Sequence, residues 1–292
     1  MMQKNELNLT NYTLTHFANS GTKPLEIYIF IDPLCPECWA LEPIIKKLII
    51  EYGHYFTLKY VVSTDLKSLN GFCKSKFEQL AKSWEKTATR TGMSCDGSLW
   101  FESPIHSPHL AFIAIKAAEM QGRRSGTKFL RKLREVLFLE KQNITDLEVL
   151  KECAQTVGLD VDEFLRDIHS ENAIRAFQCD IRITAEMGVN QIPSLVFFNQ
   201  NIDDVGLKIT GDYPYEIYEQ IVQELTNHTA KKSSLPSIEV FMASFKFVAT
   251  KEIAVVFNLS MEAAEKELKK LQWKSIVQEI PVKHGVFWKY IK

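Results

Sequence analysis

The chain has 292 residues, of which 46% are hydrophobic and 24% are charged, and its formal net charge is −1. This composition supports a substantial core and favours one large domain plus a small one. The near-zero charge excludes a whole-molecule bias toward nucleic acid or anionic membrane, and no apolar run is long enough to predict a transmembrane helix.

The first 24 residues predict a loose arm. Residues 1–20 are polar and lack the continuous apolar stretch of a secretory signal peptide. We therefore expect a cytoplasmic protein whose cysteines are mostly reduced. Only Cys35 and Cys38 are close together in sequence, which argues against a disulfide framework. The other four cysteines are scattered: Cys73, Cys95, Cys153 and Cys179.

A β-α-β unit opens the folded part of the chain. Leu25–Ile31 is rich in β-branched and aromatic residues, which predicts a buried strand. Pro36–Tyr52 carries apolar residues at helical spacing, and Phe56–Val62 predicts a second strand. The two strands should be parallel, with a right-handed crossover between them.

A long helical insertion follows, from about residue 69 to residue 180. Its clearest helices cover 77–84, 110–120, 129–139 and 147–157, and another opens at 160. Thr145 and Asp146 can cap the helix that begins at 147. A second β block, 194–198 and 205–210, predicts a hairpin, and Tyr215–Leu225 predicts a closing helix.

Residues 226–236 are polar and end at a proline, which predicts a linker. Helices at 240–246, 251–257 and 261–271 follow, with Ser260 as the cap of the third. Strands at 275–282 and 286–291 flank a tight turn. Three helices and a hairpin make a winged-helix-like module. The predicted domains are thus 1–225, including the insertion, and 237–292.

The motif Cys35-Pro36-Glu37-Cys38 falls where the first strand is followed by a helix. The N–H groups and partial positive charge of a helix N-terminus favour a thiolate at Cys35, and Pro36 suits the first helical turn. Glu37 acts in the opposite direction, because its carboxylate disfavours a neighbouring thiolate. A redox-type site would use Cys35 as nucleophile and Cys38 as resolving thiol.

The alternative for these cysteines is half of a zinc site. Zinc takes four ligands, and the sequence has no second close cysteine pair. His106 and His109 are near each other, but the serines and prolines beside them in the sequence are typical of a loop and of a helix start. We therefore predict no metal, and we interpret the scattered cysteines as small buried or surface residues.

Two prolines make the motif more specific. Pro43 interrupts the helix shortly after Cys38, and Ile192-Pro193 stands just before the later β block. Together they resemble the thioredoxin superfamily, in which a helix proline has this spacing and a cis-proline faces the active cysteines. The resemblance implies a cis bond at Pro193, beside which an extended peptide could pair with the backbone. Taken alone, Pro193 would more often be a trans proline that opens an edge strand.

The tryptophans have two interpretations. We interpret Trp39, Trp84 and Trp100 as core-packing residues rather than as an aromatic ligand-binding site. An exposed Trp39 beside the cysteines could nevertheless bind a partner. We therefore name Trp39, Ile192 and Pro193 as candidate binding residues next to the motif.

The stretch Ile27–Leu48 resembles the SpxH (YjbH) family, which are cytosolic DsbA-like adaptor proteins. The residues that carry the resemblance read Asp32-Pro33-Leu34-Cys35-Pro36-Glu37-Cys38-Trp39-Ala40-Leu41-Glu42-Pro43. The resemblance extends over the insertion, Gln191–Ser194 and the C-terminal module. It implies an α/β fold, with a thioredoxin-like (DsbA-type) domain that holds a helical insertion, plus a small winged-helix-like C-terminal domain.

The resemblance also implies a function. Family members bind the transcriptional regulator Spx and promote its degradation by the protease ClpXP, and no cofactor is implied. Some members have a His/Cys-rich N-terminal segment, whereas residues 1–24 here contain His16 and no cysteine, so zinc sensing through that arm is not expected. The alternative function is a thiol-disulfide oxidoreductase or isomerase, including a glutathione-dependent one.

The C-terminal module is not expected to bind DNA. Residues 237–292 contain no arginine, and the candidate recognition helix carries nearly balanced charges. Those charges are Glu262, Glu265 and Glu267 against Lys266, Lys269 and Lys270. We predict that this module contacts protein, either the first domain or a partner.

Overall fold

A mixed four-stranded sheet is the scaffold that carries the motif. In the computed structural model the strands lie in the order β2-β1-β3-β4. They are β1 (Leu25–Ile31), β2 (Phe56–Val62), β3 (Ser194–Phe198) and β4 (Leu207–Thr210). β1 and β2 are parallel, as predicted, whereas β3 is antiparallel to β1 and to β4. β1 is therefore an interior strand, which explains its apolar sequence.

The structure describes residues 23–64, 74–201 and 204–292. Most of the predicted N-terminal arm, with His16, and also Cys73 lie outside these residues. Within them, no helix combines the length and the apolar character that crossing a bilayer requires.

The predicted helix 36–52 is two helices in the structure. α1 (Pro36–Ala40) ends before Leu41, and α2 (Glu42–Tyr52) begins directly after it. Pro43 explains the break, because a proline has no N–H to donate to the preceding turn and is tolerated only at the start of a helix.

The helical insertion lies between β2 and β3 in the chain and packs against the sheet. Its helices are α3 (Lys74–Thr91), α4 (Leu99–Glu102), α5 (His109–Met120), α6 (Arg123–Glu140), α7 (Leu147–Val157), α8 (Val161–Asp167) and α9 (Glu171–Glu186). Asp146 caps α7, since its carboxylate accepts a hydrogen bond from the Glu148 N–H at 2.9 Å. The sequence did not separate α9, although it placed the region within the helical segment.

The closing helix α10 (Tyr215–Leu225) has the predicted bounds. Residues 226–236, which the sequence predicts to be a linker, are hydrogen-bonded to the N-terminal part of the chain. The Ser233 N–H donates to the Glu51 carbonyl at 2.8 Å, and the Lys231 N–H donates to the Tyr55 hydroxyl at 3.0 Å.

Residues 237–292, here called the C-terminal unit, have their own apolar core and three-stranded sheet in the order β5-β7-β6. Its elements are α11 (Ile238–Phe245), β5 (Phe247–Ala249), α12 (Thr250–Val256), α13 (Met261–Trp273), β6 (Val277–Val282) and β7 (Gly285–Tyr290). Ser260 caps α13 as predicted. The short strand β5 was not predicted, because three residues are too few to show the alternation of apolar and polar residues that marks a strand.

Candidate functional site

The two motif cysteines occupy different environments. Cys35 is the N-cap of α1, and its Sγ accepts a hydrogen bond from the Cys38 N–H at 3.4 Å. Cys35 is partly exposed, whereas Cys38 is only 2% exposed. A substrate could therefore reach the Cys35 sulfur, while Cys38 could act only after Cys35, as a resolving thiol does.

Burial also controls the acids and thiols beneath the motif. It raises the pKa of the Cys38 thiol well above its ordinary value; the hydrogen bond and charge of Cys35 add to this, and Arg134 opposes it. Burial raises the pKa of Asp32 to about 6, against a 2.8 Å hydrogen bond from the Leu34 N–H. Cys38 is therefore a neutral thiol near neutral pH.

The Glu37 carboxylate, between the cysteines, is held by two residues of α3. The Thr87 hydroxyl donates to it at 2.7 Å, and Arg90 forms an ion pair with it. Arg90 also contacts Asp212 at 3.0 Å. Arg90 thus offsets the negative charge by which Glu37 was expected to disfavour a thiolate. No local pattern in the sequence indicates this ion pair, because Arg90 lies far from Glu37 along the chain.

Trp39 has no exposed surface. Its ring stacks on Phe138 at 5.7 Å and on Phe287 at 6.1 Å between centroids, and the Arg131 guanidinium lies 4.3 Å from its centroid. Its indole N–H donates to the Ser94 carbonyl at 3.0 Å. The prediction of Trp39 as a surface binding residue is therefore wrong, and the packing interpretation is confirmed.

The Ile192–Pro193 peptide bond is cis, as predicted. Ser194 pairs with Phe30 of β1, so the segment before β3 lies beside the end of the strand that leads into the motif. Ile192 is partly exposed and Pro193 is buried. The position agrees with a platform beside the cysteines, and the binding role of these two residues stays a prediction.

The remaining described cysteines do not join the motif through a disulfide. Cys95 and Cys153 are buried, Cys179 is exposed, and the five cysteines within the described ranges are free thiols. Within those ranges no group of three or more His, Cys, Asp or Glu residues could hold a metal ion.

A buried ionic network, here called the seam, joins the motif region to the C-terminal unit. Its members are Glu42, Lys46, Arg131, Arg134, Glu135 and Glu252. The Glu252 side chain at the start of α12 is fully buried and pairs with Lys46 and, at 3.0 Å, with Arg131. It also accepts the Ala249 N–H at 2.7 Å.

The charges of the seam balance one another. Burial raises the pKa of Glu252, but Arg131 and Lys46 outweigh it, and the net shift is downward. Burial lowers the pKa of Lys46 despite the nearby Glu252. Arg131 is therefore the more dependable counter-ion of Glu252, because its guanidinium stays charged. Arg134 is 1% exposed and donates to Glu42 at 2.7 Å.

A second contact, here called the turn contact, joins the β6–β7 turn to α3 and its following loop. Lys283 lies 2.6 Å from Glu85 and 2.8 Å from Asp96, and His284 pairs with Glu85. The His284 N–H donates to the Ser94 hydroxyl at 3.2 Å. Together with the seam, this confirms that the C-terminal unit contacts the first domain.

The candidate recognition helix α13 neutralises much of its own charge. Lys269 pairs with Glu265 at 2.5 Å, and Lys270 pairs with Glu267 at 2.6 Å. Such pairs are typical of a solvated helix face rather than of a face that binds phosphates.

The family model for thioredoxin matches residues 28–220. The ClpXP adapter protein SpxH of Bacillus subtilis (strain 168) is 50% identical over 287 residues, which cover 96% of this chain and 95% of that protein. The ClpXP adapter protein SpxH of Halalkalibacterium halodurans is 49% identical over 276 residues, covering 92% of this chain and 90% of that protein.

Solved structures agree with the fold of the first domain. A putative protein disulfide isomerase from Nitrosomonas europaea superposes with a TM-score of 0.63 at 20% identity, covering 71% of this chain and 100% of that one. The cytosolic disulfide reductase DsbM from Pseudomonas aeruginosa gives 0.55 at 14% identity, covering 69% of this chain and 98% of that one. These neighbours share a thioredoxin-like, DsbA-type domain and leave more than a quarter of this chain unmatched.

Proposed function

The chain belongs to the SpxH family of ClpXP adapter proteins, and from that premise we propose that it binds the transcriptional regulator Spx and promotes its degradation by ClpXP. The observation that carries this proposal is the extent of the similarity. Half of the residues are identical over 96% of the chain, a span that takes in most of the C-terminal unit, whereas the structural neighbours cover only about 70% of the chain.

The architecture supports an adapter. An adapter needs a surface that holds a client and a fixed geometry relative to the protease. The motif face and the Ile192–Pro193 segment supply one partly exposed surface, and the seam fastens the C-terminal unit beside it. We further propose that 1–225, 226–236 and 237–292 are a thioredoxin-like domain, a linker and a winged-helix-like domain, which the element order of the C-terminal unit supports.

The proposal extends to location and partners. A cytoplasmic location fits the free thiols of the described cysteines, because a reducing compartment keeps cysteines unpaired. Spx and ClpXP are the proposed partners. Nucleic acid is not, because the charges of α13 are nearly balanced.

The test is degradation of purified Spx by purified ClpXP with and without the chain. We expect faster loss of Spx when the chain is present, and no such effect on an unrelated ClpXP substrate. An unchanged rate of Spx loss would contradict the proposal.

The same assay separates adapter work from redox work. The double change Cys35→Ala with Cys38→Ala should leave the acceleration largely intact, because docking requires surface complementarity rather than electron transfer. Complete loss of acceleration in a folded double variant would mean that thiol chemistry is the mechanism.

A second candidate is a thiol-disulfide oxidoreductase. The partly exposed Cys35 at a helix N-cap above a buried Cys38 favours it. Reduction of insulin by the native chain, with the double cysteine variant as control, measures this activity. Equal rates for the two proteins would exclude the motif as its source.

A further inference from the structure

A groove lies between the first domain and the C-terminal unit, beside the motif helix. It encloses about 420 Å³ and is bounded by α2, the segment before α10, and α12. Its wall includes Pro43, Ile44, Lys47, Tyr213, Lys251 and Val255. The groove therefore exists only because the two parts of the chain are held together.

Lys47 is an unusual component of this wall. Only 4% of the residue is exposed, yet no carboxylate in the described ranges lies within ion-pair distance of its ammonium. Its Nζ contacts the Asn258 amide oxygen at 2.5 Å and lies 4.1 Å from the centroid of Tyr215. Both direct partners are neutral, so the ammonium is solvated by dipoles, and the nearby acids act on it only from beyond ion-pair distance.

The nearest acids are engaged elsewhere. The Tyr215 hydroxyl donates to Glu51 at 2.5 Å, and Lys232 lies 3.4 Å from the same carboxylate. Glu219 is paired with Lys232 at 2.7 Å. Burial lowers the pKa of Lys47, and the more distant charges of Glu51, Glu216 and Glu219 oppose this only in part. A carboxylate that entered the groove could pair directly with the ammonium, which no acid of the described ranges does.

The other charges of the groove specify the type of ligand. Arg90 is already paired with Asp212, and Lys251 contributes a second cation whose stem lies beside Gly92. Glu216 also lines the groove and is exposed. A polyphosphate has only acceptor oxygens, so Asp212 and Glu216 would repel it. A peptide can place its carboxylates on the lysines and direct its backbone N–H groups toward those two acids.

We propose that this groove docks an extended acidic peptide segment of the client. Side-chain carboxylates of the segment pair with Lys47 and Lys251, and an apolar residue between them packs on Tyr213, which is 42% exposed. The inference rests on the proposed adapter function and names the client surface that it uses. Two lysines that form no ion pair within the described ranges, together with the apolar residues of the wall, select this ligand.

The direct test is fluorescence anisotropy with a labelled, acetylated and amidated short peptide that alternates acidic and apolar residues. Its matched control replaces each acid by the corresponding amide. We expect the amide peptide to bind at least about tenfold more weakly, since hydrogen bonds to charged groups are the stronger ones. Equal binding of the two peptides, or tighter binding of a neutral peptide with a free C-terminal carboxylate, would overturn the proposal.

Variants of the full chain locate the site. Lys47→Gln and Lys251→Gln should each weaken binding of the acidic peptide by about fivefold or more, and Glu216→Gln should strengthen it. Lys274→Gln, an exposed lysine of the C-terminal unit outside the groove, should change nothing. Lys251 is half-buried, so its variant keeps the test valid if Lys47→Gln fails to fold. Native affinity in a folded Lys251→Gln would refute the assignment.

The degradation assay separates this inference from the function on which it rests. If the native chain does not accelerate Spx loss, the proposed function fails, whatever the peptide result. If the native chain accelerates it and the folded Lys47→Gln/Lys251→Gln double variant does so equally, only the groove assignment fails. We expect acceleration by the native chain and a loss of at least about fivefold in client affinity for the double variant.

Discussion

Two contacts fasten the C-terminal unit to the first domain, and they use similar residues in different surroundings. In the seam, the Glu252 side chain is fully buried and bridges Lys46 and Arg131. In the turn contact, Lys283 is 42% exposed and its partner Glu85 is 30% exposed. The same charge pairing is therefore shielded from water in one place and solvated in the other.

The difference has an energetic consequence. Removing one member of a buried pair leaves a charge that neither water nor protein compensates, whereas water replaces a lost partner at the surface. The seam should therefore fix the orientation of the C-terminal unit, while the turn contact should contribute little stability. Substitutions in the two contacts test this contrast directly, and changes at Phe287 and Asp32 test burial for an aromatic ring and for an acid.

Glu252→Ala should have the largest effect. It leaves Arg131 and Lys46 as buried cations without their shared anion and removes the acceptor of the Ala249 N–H. We expect a loss of about 3–5 kcal/mol in the free energy of unfolding, measured by urea denaturation. Glu239→Ala, which removes a surface pair with Lys292, is the matched control and should cost less than about 1 kcal/mol. Equal effects of the two changes would contradict the contrast.

Phe287→Ala should follow, because it removes the aromatic wall that the C-terminal unit places on Trp39. Truncating a buried phenylalanine leaves a cavity beside the motif helix and should cost about 3 kcal/mol. Phe101→Ala provides the control, since Phe101 is 57% exposed and its loss should leave the urea midpoint nearly unchanged. A stable Phe287→Ala would show that the unit is held by charge alone.

Asp32→Asn should change how stability depends on pH. The pKa of Asp32 is raised to about 6, above its ordinary value of 3.8, so the folded state binds the proton more tightly than the unfolded state. The native chain should therefore lose on the order of 2–3 kcal/mol as the pH rises from about 4 to 6. The variant should lack that loss in urea titrations across this window. Parallel profiles for the two proteins would mean that the pKa of Asp32 is not raised in the folded state.

Lys283→Ala should have the smallest effect, at most about 1 kcal/mol, because its ion pairs are exposed to solvent. The remaining contribution should disappear in high salt. Partial burial raises the pKa of Glu85, but the Lys283 and His284 contacts help to outweigh it, and the net shift is downward. The stabilisation is therefore fully present above the ordinary pKa of Glu85 and is lost as the pH falls through the lowered pKa. A loss above about 2 kcal/mol in urea denaturation would place the turn contact on a par with the seam.

Local sequence was sufficient for most elements of both parts. β1, β2, β3 and α10 have their predicted bounds, because continuous apolar runs and turn residues mark strands and helices without reference to distant parts of the chain. β4 is two residues shorter than predicted, beginning at Leu207, and β5 was missed because it is stabilised by pairing with β7 rather than by its own pattern. The cis bond at Pro193 was predicted from a resemblance and not from periodicity.

The sequence by itself determined the motif, the strand that leads into it and the order of the helices, because these depend on residues a few positions apart. Only the tertiary structure decided what surrounds the motif. Arg90 on Glu37, Phe287 on Trp39, and Arg131 with Glu252 come from segments roughly 50 to 250 residues away from their partners. No sequence periodicity relates residues so far apart. Which residues cover the Trp39 ring depends on how the first domain and the C-terminal unit pack together. Burial, ion pairing and the lack of a direct ion pair at Lys47 all follow from that packing, since each is a property of neighbours in space rather than in sequence.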